Sequence, residues 1–145
     1  MTVLVEMVCS VSQEESARAA VEAFCKAPGG LLIGRRVIEE THKVLLLVRL
    51  PHTASVSKHT VDLSRACQQQ VIESFRYVSG GLVQISFDPS LNLREQMRDF
   101  PLRPDESWVL AIHNPHQAYV CMSRPVMLAK QAAWLIARDA AWSFV

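Results

Sequence analysis

Six side chains in two loops are best suited to chemistry: Ser10 and Ser12 in one, and His52, Ser57, Lys58 and His59 in the other. Hydroxyls, imidazoles and an ammonium together suit an anion or a carboxylate ligand, the more so where each loop opens a helix. The first turn of a helix leaves backbone N–H groups without intrahelical partners, and its dipole favours negative charge there. The plainer alternative is that the hydroxyls are N-caps and the histidines are solvated surface residues.

Other reactive types fall at less telling spacings. His113-x-x-His116 with Cys121 downstream can be drawn as a metal site. However, Asn114-Pro115 between the histidines signals a turn, and no carboxylate or cysteine stands at ligand spacing beside them. No metal is expected. Thiol catalysis needs a base within hydrogen-bond reach. His59 and Cys67 are two helical turns apart, about 12 Å by rise alone. The four cysteines, Cys9, Cys25, Cys67 and Cys121, form no C-x-x-C pair and read as small, buried, reduced residues. Neither G-x-S-x-G nor a P-loop nor G-x-G-x-x-G occurs. Asp62, Glu73, Asp88, Asp99 and Asp105 make no pair that can be placed in one cleft. No catalytic residue and no cofactor is assigned.

The elements that must position these residues are organised around Lys43 to Leu50. Five apolar residues between Lys43 and Arg49, stopped by Pro51, are too short for a typical helix and do not alternate. They predict a strand buried on both faces. Val3 to Val8 is a second inner strand. Ala17, Ala20, Val21, Phe24 and Cys25 recur at helical spacing, with Glu14 and Glu15 in the first turn, so a helix follows Ser12 and stops at Pro28-Gly29-Gly30. Leu31 to Glu39 predicts a strand nearer an edge, joined to the central one by a tight turn at Glu40-Thr41-His42. A long helix is expected over about Val56 to Val78, then a half-exposed strand at Leu82 to Phe87.

Strand, helix, Gly-Gly and strand thus occur twice, in Val3 to Glu39 and in Val44 to Phe87. The expectation is an α+β chain with a ferredoxin-like βαββαβ core, an antiparallel sheet with two helices on one face. The first and third strands are taken as parallel neighbours in its centre, so that the Ser10 and His52 loops share one rim. Residues 1–145 read as a single domain, with the core in 1–87 and an extension in 88–145. That extension holds a short helix near Leu91 to Arg98, a hairpin turning at His113 to His116, and a C-terminal helix from Ser123 to about Trp142. The last helix is apolar nearly all round, which makes Met127, Trp134, Arg138 and Trp142 candidate interface residues.

Composition excludes more than it assigns. A net charge of +1 over 145 residues supplies no global field for nucleic acid or an anionic membrane. The apolar runs fall short of a membrane span. Met1 to Glu6 lacks the basic start of a signal peptide, so the expectation is cytoplasmic. Base-stacking aromatics are missing from the two inner strands, and the first loop has neither a C-x-x-C nor an arginine. RNA recognition, metal carriage and acylphosphatase-like chemistry are therefore not expected. Two readings are left. One is a non-catalytic module, an inhibitor, immunity-type antidote or adaptor, that binds a protein partner or itself. The alternative is a small-molecule-binding protein or small enzyme, its anionic ligand held at paired helix N-termini.

Overall fold

The computed structural model describes residues 2–25, 32–51 and 56–145. The expected stop at Pro28-Gly29-Gly30 and the loop carrying His52 lie outside them. Two compact units make up the chain, Met1–Tyr77 and Val78–Val145.

Unit 1 runs β1 (Thr2–Ser10), α1 (Glu14–Cys25), β2 (Leu32–Ile38), β3 (Lys43–Pro51), α2 (Val56–Gln68) and β4 (Ser74–Tyr77). Its strands stand in the order β4-β1-β3-β2, and every neighbouring pair is antiparallel. The unbroken apolar run of β3 has the physical cause expected of it. Val44, Leu46, Val48 and Leu50 join the core under the helices, while Leu45 and Leu47, on the other face, are only 5% and 0% exposed. Val5, Met7 and Cys9 of β1, Ala17 and Val21 of α1, and Leu63 and Ala66 of α2 complete that core. Each fully buried aliphatic contributes about 1.5–3 kcal/mol by leaving water. The hairpin turn closes through His42 in the left-handed conformation, φ 54°.

The long helix expected over Val56 to Val78 is corrected. It stops at Gln68, Gln70 takes a left-handed φ of 61°, and Ser74–Tyr77 forms a strand. Val71 N donates to Ala66 O, a helix-ending bond across the turn. Phe75 and Tyr77 alternate onto the core face of β4 and meet edge to face at 6.2 Å, and the Tyr77 hydroxyl lies 2.7 Å from Thr60 Oγ1. The fourth strand of this unit is therefore β4, and Leu82–Ser86 belongs to the other unit.

Unit 2 runs β5 (Leu82–Ser86), α3 (Leu93–Arg98), β6 (Ser107–Ala111), β7 (Gln117–Cys121), α4 (Ala129–Ala137) and β8 (Ala141–Phe144). The segment read as an extension is thus a second strand–helix–strand–strand–helix–strand unit. Its order, β6-β7-β5-β8, is that of unit 1 read from the other end, and it too is antiparallel. Val83, Ile85, Ala118 and Val120 face α3 and α4, which supply Leu93, Met97, Trp134 and Leu135. Buried Glu106 ties the loops together by accepting from Arg103 Nη1 at 2.7 Å, from Ser123 N at 3.0 Å and from Gln131 Nε2 at 2.9 Å. Burial pushes this carboxyl up, but those donors outweigh it and hold it below the usual carboxylate range. Among the described residues no helix is long and apolar enough to cross a membrane.

Candidate functional site

The antiparallel register decides what becomes of the expected rim. Ser10 pairs with Lys43 and Thr2 with Pro51, so the C-terminal ends of β1 and β3 lie at opposite ends of the sheet. The expectation that these strands are parallel neighbours is corrected, and with it the sharing of one rim by their loops. In a βαββαβ unit the strand inserted between the first and second runs against both, because a tight hairpin reverses its direction. Lys58 is exposed on α2 and His59, next to it, is buried at 5%. His52 and the side chain of Ser57 lie outside the described residues. Ser10 and Ser12 stay together at the other end, their hydroxyl oxygens 3.1 Å apart. The Ser10 hydroxyl does not cap the short turn Val11–Gln13 that leads into α1.

Those two serines line a cleft of about 470 Å³ with Gln13, Cys67, Gln70, Val71, Ile72 and Glu73. Three elements position it. β1 brings Ser10 to its end, the turn before α1 presents Ser12 and Gln13, and the α2–β4 connection supplies the opposite wall. That wall is anchored by Glu73 N, which donates to Val8 O at 2.7 Å, and by the bonds that end α2. Gln70 sits in a backbone region that costs a non-glycine residue about 1 kcal/mol or more. Beside the cleft Arg35 grips Glu14 with two charge-assisted bonds, Nε to Oε2 at 2.6 Å and Nη2 to Oε1 at 2.7 Å, tying the start of α1 to β2.

The charges at this cleft are balanced, with the start of α1 and the end of α2 both bordering it. The Glu73 carboxylate lines the cleft, and the ammonium of Lys43, 2.8 Å away, is already paired with it. α2 presents its C-terminal end here, where the dipole favours positive charge. The thiols are not poised as nucleophiles. Burial, then the Glu14 and Glu73 carboxylates, push Cys9 up to about 11, and burial also raises Cys67. Both are protonated at neutral pH. The arrangement can accept hydrogen bonds at Glu73 and exchange them at two hydroxyls and two amides. Gln13 and Gln70 were not singled out from the sequence, and Glu73 was weighed only as one of five unpaired carboxylates; the signal for Gln70 was the Gln68-Gln69-Gln70 run ahead of alternating Phe75 and Tyr77.

The remaining candidates separate. His113 is exposed, and Cys121 stands at the far end of β7 from His116, roughly 17 Å away by strand rise. Among the described residues no group of three or more potential ligands could hold a metal ion. A smaller cleft of about 380 Å³ in unit 2 is lined by Pro89, Asn92, Arg94, Asn114, His116 and Gln117 among others. The C-terminal helix is shorter than expected, Ala129–Ala137, and its candidate interface residues fall in different settings. Trp134 is buried against Phe87 and Phe100, with Arg138 stacked 3.9 Å over its ring. Met127 is half-buried against the same core, and Trp142 lies in β8 beyond the helix.

No protein-family model matches the chain, and no curated protein matches it. A search of solved structures finds a protein from Lactobacillus acidophilus NCFM, provisionally described as a monooxygenase. It shares 9% identity over 99% of this chain and 93% of that one, at a TM-score of 0.35. A likeness that loose transfers no activity. The expectation of a non-catalytic inhibitor, immunity-type antidote or adaptor is nevertheless corrected. The apolar helix that supported it spends its Trp and Leu on the core of its own unit.

Proposed function

We propose that the chain is a small-molecule-binding protein, or a small enzyme, whose site is the cleft between the end of β1 and the α2–β4 connection. The observation that carries this reading is the lining itself. Ser10, Ser12, Gln13, Gln70 and Glu73 converge on one concave space of about 470 Å³, a volume within the range of small-ligand sites. With Lys43 committed to Glu73 and helix ends of both signs at the wall, the favoured ligand is neutral or positively charged and rich in donors, an amine or a polyol, rather than an anion. In the enzyme reading Glu73 is the acid–base group. Both units are further read as ferredoxin-like, supported by the strand order each repeats. A cytoplasmic location is proposed with them, supported by the free thiols of Cys9, Cys67 and Cys121.

The test is calorimetric titration with a panel of primary amines and polyols. Saturable binding is expected in the wild type, weakened about tenfold by Glu73→Ala, as for loss of one hydrogen bond to a charged group. Equal affinity for both proteins would place the site elsewhere, and no binding by the wild type would refute the reading.

A further inference from the structure

Unit 2 ends its sheet on a strand that is unusually open. Among the described residues β8 pairs with β5 alone, in the order β6-β7-β5-β8. Val145 N donates to Leu82 O at 2.8 Å. By strand alternation Ser143 also turns its backbone toward β5, and Trp142 and Phe144 turn their N–H and C=O groups outward. The side chains of those two residues are 40% and 43% exposed and meet edge to face at 6.1 Å.

The counterpart in unit 1 shows what is missing. There the edge-to-face pair Phe75–Tyr77 on β4 is packed against the core, and Tyr77 is tied to Thr60 of α2. α2 and α4 end in the same way, with Val71 N bonded to Ala66 O and Ala140 N bonded to Leu135 O. However, α2 has 13 residues and α4 has 9, so α4 starts one turn later. By the same offset Thr60 corresponds to Ala129, the first residue of α4, which has no hydroxyl to tie an aromatic side chain of β8 to the helix. The edge also lacks the usual protection. Ala141 to Val145 contains neither a charge nor a proline, whereas exposed edges are commonly blunted by lysine or proline.

We propose that the β8 edge pairs with the β8 edge of a second copy of this chain, antiparallel about a two-fold axis at Ser143. An edge of unpaired N–H and C=O groups is satisfied in register only by another extended strand. This strand is complementary to itself. The two-fold sets Trp142 of each copy opposite Phe144 of the other, with every outward backbone group paired and no like charges opposed. Such aromatic cross-strand pairs are among the more favourable ones. The proposal is independent of the ligand cleft, which lies in unit 1.

Sedimentation velocity of the full chain tests it, comparing wild type with Phe144→Lys. A wild-type dimer is expected, with association weakened about 100-fold in the variant. A wild type that stays monomeric, or a dimer untouched by the lysine, would overturn the proposal. Should the variant fold poorly, amide exchange in the wild type decides. Protection of the Trp142 and Phe144 amides is expected to rise with protein concentration, and concentration-independent exchange would overturn the pairing.

Discussion

At the scale of single residues, the chemistry depends on which charges are already spent. Lys43 was passed over as the start of a strand, yet its ammonium neutralises the one carboxylate in the cleft and sets the kind of ligand it favours. Glu14 shows the same accounting in the fold. The hydrogen bonds from Arg35 hold its carboxyl below the usual range, so its folded value is below its unfolded one. The stability this contributes is full above the ordinary glutamate value, about pH 4.3, and is lost as the pH falls through the folded value. Arg35 is partly exposed, which limits the effect. Arg35→Met should cost about 1 kcal/mol at neutral pH. Urea denaturation should show the gap between variant and wild type closing on acidification, and a gap constant with pH would remove Glu14 from the account.

At the scale of elements, what could be read depended on whether one periodicity fitted. β3 was legible because five consecutive apolar residues admit few alternatives, and α1 because its stripe is long and regular. α2 was overrun because Cys67, Val71 and Phe75 continue a helical spacing while Phe75 and Tyr77 also alternate as a strand. The structure resolves the conflict at Gln70, where a left-handed residue ends the helix without the glycine that would have announced it. The same device at Asp139, φ 51°, hid β8 inside an expected helix. Gly80 is the opposite case, a glycine whose position requires it. A Cβ there would overlap Met122 O and the backbone of Ser123 and Arg124. Gly80→Ala should therefore destabilise the protein by about 3 kcal/mol or more, measured by thermal unfolding. A loss under about 1 kcal/mol would mean that this close approach is not maintained.

At the scale of the whole molecule, one topology occurs twice, and the repeat is carried by geometry rather than by residues. Both units end their second helix with the same bond and place an edge-to-face aromatic pair on their fourth strand. The helices of unit 2 are shorter, α3 having 6 residues against 12 in α1, so its helical signal is weak and the segment reads as an extension. The doubling that was legible, Val3 to Glu39 and Val44 to Phe87, lay at half the true period. The shared rim was lost for a related reason: β1, α1, β2 and β3 were listed in the right order but joined by a wrong strand direction, and direction follows from the hairpin, not from composition. Ser10 and Ser12 sit together on one connection, whereas Lys58 and His59 lie on α2, which follows the opposite end of β3. The measurement that bears most directly on the ligand cleft is amide shift mapping of the isotopically labelled protein against the amine and polyol panel. The account predicts saturable shifts clustered at Ser10, Ser12, Gln13, Gln70 and Glu73, and ligand-induced shifts confined to other residues would contradict it.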